Sequence, residues 1–136
     1  YGDGEQRRDF ISIEDVVRAN LFCMDHPKFR GIFNLGTGVS RSFNEIALAV
    51  VNSCRAFSGS KALSLEECQS QKIISYFKMP ATLTGKYQDY TQANVVRLRE
   101  AGYDRDFITL EDGVCEYVKH LGQNLCTDPS LSASVK

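Results

Sequence analysis

Two adjacent arginines near the amino-terminal end, Arg7 and Arg8, have the clearest chemical potential in the sequence. They follow a glycine-rich stretch and precede an apolar run. An arginine can donate two parallel hydrogen bonds to a diphosphate, a geometry that lysine does not match. Alternatively it can pair with a carboxylate, and Asp9, Glu14 and Asp15 all lie close by in the sequence. From these residues alone, a surface ion pair is the preferred interpretation.

The sequence does not contain the features of a complete dinucleotide-dependent active site. Its ten glycines never take the G-x-G-x-x-G spacing that lets a backbone approach a pyrophosphate. No tyrosine is followed four positions later by lysine, so the Tyr-x-x-x-Lys acid–base pair of short-chain dehydrogenases is missing as well. We therefore expect the chain to supply binding residues but no catalytic residue, and to bind no cofactor and no metal by itself.

Two further features of the sequence have a weaker potential for chemistry. Residues 36–38 read G-T-G between a predicted strand and a predicted helix, where backbone amides could hold an anion. A structural turn is the preferred interpretation, because glycine is the default residue of tight turns. The histidines, His26 and His120, have no surrounding cysteine or carboxylate arrangement that indicates a nucleophile, so both are expected at the surface.

Composition indicates one ordinary soluble domain. Of the 136 residues, 43% are hydrophobic and 24% are charged, and the formal net charge is −1. This balance predicts no nucleic-acid partner, and the apolar runs are too short for a membrane span. The five cysteines are odd in number and form no C-x-x-C pair, so we expect reduced, partly buried thiols in a cytoplasmic protein.

Hydrophobic periodicity predicts strands alternating with helices, so the expected fold class is a small α/β unit. The predicted strands cover residues 10–13, 31–35 and 72–77. Helices are predicted to begin at four capping residues, Ser12, Ser42, Thr91 and Thr109.

The chain divides into a patterned part and a tail. Residues 1–121 are predicted to fold, with residues 58–72 forming a polar, serine-rich surface insertion that holds a short helix at 64–67. Residues 122–136 are small, polar and unpatterned, and are predicted to form a disordered tail. Because the chain starts without methionine and in a loop-like stretch, we expect it to be part of a longer protein.

Four segments carry motifs that resemble a known family. Residues 8–16 read R-D-F-I-S-I-E-D-V and residues 31–38 read G-I-F-N-L-G-T-G. They are similar to the R-D-F-x-x-V-x-D-V and F-N-L-G-T-G signatures of extended short-chain dehydrogenase/reductase sugar enzymes, the NAD-dependent epimerase/dehydratase family. Residues 84–94 (T-G-K-Y-Q-D-Y-T-Q-A-N) and 98–103 (L-R-E-A-G-Y) resemble the K-G-R-Y-Q-x-F-T-Q-A-D…L-R-x-A-G-Y segment of the ADP-L-glycero-D-manno-heptose 6-epimerase family.

The resemblance implies that the chain is the carboxy-terminal, substrate-binding part of such an enzyme. Residues 31–35 would then join a Rossmann sheet in an amino-terminal half, and the NADP-binding glycines and catalytic Tyr and Lys would lie before residue 1. Arg8 would bind the nucleotide sugar, and Tyr87 would contact it from a later loop. Four further residues match a loop that lines the same pocket: Tyr1, Gly2, Asp3 and Gly4.

The implied full-length enzyme is an NADP- or NAD-dependent isomerase whose cofactor oxidises and re-reduces a sugar carbon, inverting its configuration. Its implied substrate is an ADP-sugar precursor of lipopolysaccharide core, and the enzyme is expected to be a cytoplasmic homo-oligomer. Lys86, Tyr90 and Asn94 are mild departures from the motif. The alternatives are another sugar-nucleotide epimerase or dehydratase, and a non-catalytic interaction module.

Overall fold

The structure, a computed structural model, describes residues 2–83 and 85–127. Within these ranges five helices and two short strands follow one another, in the order β1 (Arg7–Arg8), α1 (Ile13–Asp25), β2 (Arg41–Ser42), α2 (Phe43–Phe57), α3 (Leu65–Ser70), α4 (Val96–Glu100) and α5 (Leu110–Thr127). The result is a small α/β unit in which helices predominate. None of the helices in this part of the chain is both long enough and apolar enough to cross a membrane.

The strand β1 lies between two other segments of backbone. On one side it pairs antiparallel with β2, with Arg7 opposite Ser42. On the other side, Arg7 forms a parallel bridge to Tyr90. The amide of Arg7 donates to the Asp89 carbonyl at 2.8 Å, and the amide of Thr91 donates to the Arg7 carbonyl at 3.1 Å. This arrangement brings the amino-terminal segment next to residues 89–91.

Two of the predicted strands are wrong. Residues 10–12 are irregular, and the helix α1 begins at Ile13. Residues 72–77 form a turn and an irregular segment, because the amides of Ile73 and Ile74 both donate to the Cys68 carbonyl just after α3. Short apolar runs do not by themselves distinguish strands from other buried segments, since a strand also needs a partner.

Residues 31–35 form no strand ladder within the described ranges. Phe33 and Leu35 instead pack against the small hydrophobic core formed by Ala19, Leu98 and Tyr103. Pairing of this segment with a sheet in an amino-terminal half therefore stays a prediction.

The capping motifs predicted the starts of four helices, α1, α2, α3 and α5; at α5 the Asp112 amide donates to the Thr109 hydroxyl at 3.1 Å. At α2, Ser42 and Glu45 form the full reciprocal capping box, with the Glu45 amide 3.1 Å from Ser42 Oγ. Ser64 caps α3 in the same way, as expected for the short helix in the insertion. At α1, Ser12 accepts from the Glu14 amide, whereas the Asp15 carboxylate accepts from the distant Ile108 amide.

Helix boundaries differ from the prediction at α4 and at the end of α5. Thr91 does not cap a helix, because it joins the backbone of β1, and α4 begins only at Val96. The last helix starts after Thr109 as predicted, but it continues past Gly122 to Thr127. The first residues of the predicted disordered tail are therefore helical, and residues 128–136 lie outside the described part.

The apolar faces of the longer helices are largely exposed. On α1, Ile13 and Met24 are 75% and 76% exposed, and Val17 and Leu21 on the same stripe are also exposed. A cavity of about 760 Å³ runs between α2 and α5. Its walls are mostly apolar and include Phe10, Ile46, Val50, Phe57, Val114 and Leu121. Periodicity identified these faces correctly, but the described residues do not cover them.

Substitution of Ser42 by alanine is expected to lower the free energy of unfolding by about 1 kcal/mol, because the Glu45 amide loses its capping acceptor. The matched control is Ser53→Ala, which lies inside α2 and makes no cap; its effect should stay within about 0.5 kcal/mol. Urea unfolding of both variants provides the comparison. Equal effects at the two positions would contradict the proposed contribution of the capping box.

Candidate functional site

The backbone around β1 brings Arg8 close to the loop that carries Tyr87. This loop turns tightly, since the amides of Lys86 and Tyr87 both donate to the Leu83 carbonyl, at 3.0 and 3.1 Å. Gly85 within the turn has a φ of 74°, a conformation that favours glycine. After the turn the chain runs alongside β1 through its hydrogen bonds to Arg7.

The side chains of Arg8 and Tyr87 are in contact. The guanidinium carbon of Arg8 lies 5.2 Å from the centroid of the Tyr87 ring, a cation–π distance, and 6.0 Å from the ring of Phe43. The guanidinium also donates to the backbone carbonyls of Arg7 and Gln88. Arg8 and Tyr87 thus lie together although they are 79 positions apart in the chain, and their shared role in a substrate pocket stays a prediction.

The ion-pair interpretation is wrong for Arg8, and its neighbour pairs with Glu45, which was not among the expected partners. Within residues 2–83 and 85–127, no carboxylate forms a salt bridge with Arg8. Arg7 lies 3.7 Å from a carboxylate oxygen of Glu45, and it also donates to the Ser40 carbonyl. The charge of Arg8 is thus held by carbonyls and rings without being neutralised.

The carboxylate of Asp9 joins three segments of the chain. It accepts hydrogen bonds from the Thr37 amide at 2.8 Å, the Thr37 hydroxyl at 2.6 Å, the Gly38 amide at 2.9 Å and the Ala93 amide at 3.0 Å. Burial raises the pKa of Asp9, but these hydrogen bonds outweigh it and hold the pKa below its ordinary value. Asp9 therefore connects its own segment to residues 37–38 and to residue 93, directly beside Arg8.

The same contacts determine the role of the G-T-G turn. Its amides at Thr37 and Gly38 are taken by the Asp9 carboxylate, so they do not fit the phosphate of a dinucleotide. A β-carbon added to Gly36 would lie 2.5 Å from the Ala93 side chain and 2.7 Å from the Asp9 carboxylate. The structural turn is thus the correct interpretation, and the glycine permits the close approach.

The loop of residues 2–5 is held mainly by Asn44 at the start of α2. The Asn44 amide group donates to the Asp3 carbonyl at 2.9 Å and to the Glu5 carboxylate at 2.6 Å. Its backbone amide donates to the Gly4 carbonyl at 3.1 Å. Of the four residues predicted to line a pocket here, Gly2, Asp3 and Gly4 belong to this anchored loop, and Tyr1 lies outside the described residues.

Sequence reasoning missed Asp9, Asn44 and Tyr76, whose hydroxyl bonds to Asn44. Asp9 stands inside the R-D-F motif, which could have indicated a role. Asn44 lies within the S-F-N-E capping motif, where its position suggests helix initiation and nothing more. Tyr76 follows the insertion and has no motif around it.

The remaining candidates, the histidines and cysteines, form no recognisable catalytic or metal site in the described part of the chain. His26 and His120 are exposed, as predicted. Cys23, Cys54, Cys68 and Cys115 are free thiols, whereas the side chain of Cys126 lies outside the described part. Among the described residues, no cluster of histidine, cysteine and acidic side chains has an arrangement that could hold a metal ion.

Sequence comparison agrees with the motifs. Residues 1–36 match the model of the NAD dependent epimerase/dehydratase family. The chain is 52% identical over 124 residues to the ADP-L-glycero-D-manno-heptose-6-epimerase of Thiobacillus denitrificans. That alignment covers 91% of this chain but 37% of the relative, so the chain spans well under half the length of the curated protein that it matches.

Proposed function

We propose that the chain is the substrate-binding portion of an NAD(P)-dependent nucleotide-sugar epimerase. Its proposed substrate is an ADP-glycero-manno-heptose, a precursor of lipopolysaccharide core, converted in the cytoplasm. The observation that carries the proposal is the contact between Arg8 and Tyr87, with 5.2 Å between the guanidinium carbon and the ring centroid. These two residues come from separate motifs, and the family resemblance assigns both to the substrate.

The chemistry of Arg8 suits a nucleoside diphosphate. Its guanidinium is held against the Tyr87 ring and donates to two backbone carbonyls, while no described carboxylate competes for its charge. A diphosphate is a stronger acceptor than a carbonyl, because charge-assisted hydrogen bonds are shorter and about twice as strong as neutral ones. Substrate oxygens would therefore replace the carbonyls as partners, and Tyr87 would keep the guanidinium in place.

The exposed apolar faces support the proposal that further protein packs on this chain. Large exposed apolar patches on a soluble protein mark interaction surfaces. The stripe of α1 and the cavity between α2 and α5 are of this kind. Since the relative is much longer than this chain, we propose that an amino-terminal cofactor-binding half covers part of these faces and pairs with residues 31–35.

The cofactor belongs to that proposed half. The described residues do not fit this cofactor, because the amides of the G-T-G turn already donate to the Asp9 carboxylate. This chain's own contribution to the reaction would be to bind the diphosphate and orient the sugar. Arg8 and Tyr87 would do so from β1 and the later loop, and the loop of residues 2–5 would line the pocket.

A ligand comparison on a full-length epimerase that carries this sequence tests the proposal. Turnover of an ADP-heptose should exceed turnover of UDP- and dTDP-sugars of matched stereochemistry. Turnover of a UDP- or dTDP-sugar alone would instead identify another sugar-nucleotide epimerase or dehydratase of the same family. No turnover and no binding of any nucleotide sugar would favour a non-catalytic interaction module.

The 136-residue chain alone is expected to show no epimerase activity and no tight NADP binding, because its sequence contains no glycine fingerprint and no Tyr-x-x-x-Lys pair. The measurements are turnover of ADP-heptose by the purified chain and a fluorescence titration with NADPH. The full-length enzyme provides the positive control. Measurable turnover by the chain alone would contradict this expectation.

A further inference from the structure

The loop of residues 2–5 is anchored by a hydrogen-bonded network that reaches back to the insertion. Asn44 is only 7% exposed, and its side chain holds the Asp3 carbonyl and the Glu5 carboxylate. The remaining oxygen of Asn44 accepts from the Tyr76 hydroxyl at 2.6 Å. Both N–H groups and the oxygen of this buried amide therefore join the loop, α2 and the segment around Tyr76.

The network continues into α3 within the insertion. Gln69 donates from its side-chain nitrogen to the Tyr76 hydroxyl at 2.8 Å. The turn after α3 is closed by the Ile73 amide on the Cys68 carbonyl at 2.8 Å, and Cys68 is fully buried. Through Gln69, the packed helix α3 of the insertion thus holds Tyr76, which in turn bonds to Asn44 beside the loop.

The backbone of the loop fits closely against these residues. The Gly2 amide donates to the Phe77 carbonyl at 3.1 Å. Gly4 has a φ of 77°, and a β-carbon there would lie 2.2 Å from the Asn44 oxygen and 3.0 Å from the Tyr76 ring. The glycine allows the loop to lie directly on Asn44 and Tyr76.

We infer that Asn44 and Tyr76 are positioning residues that fix the loop of residues 2–5 for substrate binding, and that residues 58–72 support this loop through Gln69. The inference rests on the proposed function, in which the loop lines the nucleotide-sugar pocket. Neither residue touches the substrate in this proposal. Their effect is to hold the loop in one conformation, so that substrate binding need not order it.

The first test is Tyr76→Phe in a full-length epimerase that carries this sequence. The variant keeps the ring but loses the hydroxyl that links Gln69 to Asn44. The KM for the ADP-heptose should rise about 3- to 10-fold, because the hydroxyl no longer bonds to Gln69 and Asn44 and the loop is less often in its binding conformation, with kcat within about 2-fold of wild type. The matched control is Tyr103→Phe in the core, where the lost hydroxyl has no hydrogen-bond partner among the described residues, so both constants should stay unchanged.

The second variant is Asn44→Asp, which replaces the amide donors facing Asp3 and Glu5 by carboxylate oxygens. An acidic residue is favourable in the first turn of a helix, so α2 itself should persist. We expect a larger rise in KM than for Tyr76→Phe. A KM equal to wild type in both variants, or a lower kcat at unchanged KM, would overturn the inference.

Amide hydrogen exchange separates this inference from the proposed function. In Tyr76→Phe, exchange in the peptide covering residues 2–6 and at Asn44 should become faster, while α5 stays unchanged. If the wild-type enzyme turns over no ADP-heptose, the proposed function fails, and the exchange result alone then decides whether the network holds the loop. Unchanged exchange overturns the inference, and so does faster exchange combined with an unchanged KM in an active enzyme.

Discussion

Replacing Arg8 with alanine in a full-length enzyme is expected to raise the KM for the ADP-sugar about 10- to 100-fold. A hydrogen bond to a charged group contributes roughly 1.5–3 kcal/mol, and about 1.4 kcal/mol corresponds to a factor of ten. The guanidinium has no described carboxylate partner, so its removal should leave the surrounding protein without an uncompensated charge. Cofactor affinity should not change, because the cofactor site is proposed to lie in the amino-terminal half.

Three further variants sharpen this test. Arg8→Lys keeps the charge but loses the planar fork, so it should restore only part of the binding. Tyr87→Phe keeps the ring that contacts Arg8 and should raise KM by roughly 3- to 10-fold if the hydroxyl bonds to the substrate. Arg105→Ala removes the same charge from an exposed loop position and serves as the control. Loss of binding in Arg105→Ala equal to that in Arg8→Ala would show that only net charge matters.

Local signals in the sequence predicted the helix starts well. Ser42 and Glu45 are three positions apart, so both halves of the capping box are visible in one short stretch. The strands were harder to predict, because β1 consists of two arginines and has no apolar alternation. It exists through its pairing with β2 and with Tyr90, and such distant pairing leaves no local pattern.

The candidate site shows the same difference between local and distant information. Residue types and spacing alone favoured an ion pair for Arg8, and only the family resemblance brought Arg8 and Tyr87 together. The partners of Asp9 lie 28 and 84 positions away, at Thr37 and Ala93. Likewise, the periodicity of α1 identified an apolar stripe but not whether this chain covers it. These features depend on tertiary structure, which a pattern in one segment does not contain.

Asp9→Asn is expected to lower the free energy of unfolding by about 2–4 kcal/mol. One carboxylate oxygen accepts from the Gly38 and Ala93 amides, and an amide nitrogen in that place would face two donors. Each buried donor left without an acceptor costs roughly 1–3 kcal/mol, so two donors cost roughly 2–6 kcal/mol. Partial access of water reduces the expected cost to the lower half of this range. The matched control is Asp104→Asn at an exposed position, where the change should stay within about 0.5 kcal/mol.

The effect of Asp9→Asn should also depend on pH, with a sign that follows from the pKa of Asp9. Burial raises this pKa, but the hydrogen bonds from Thr37, Ala93 and Gly38 lower it below the ordinary value of 3.8. The unfolded chain therefore takes up the proton first as pH falls, so the stability contributed by the carboxylate is complete above about pH 5 and is lost as pH falls through the folded-state pKa. The sign of the pH dependence is therefore set by the lowered pKa of Asp9.

Urea unfolding at a series of pH values should show a difference in the free energy of unfolding between wild type and Asp9→Asn. This difference should be constant from about pH 5 to 7 and should shrink below about pH 4. Glu45 and Glu111 also have lowered pKa values, but they are present in both proteins and cancel in the difference. A difference that stays constant or grows down to about pH 3 would show that the Asp9 hydrogen bonds do not stabilise the charged carboxylate.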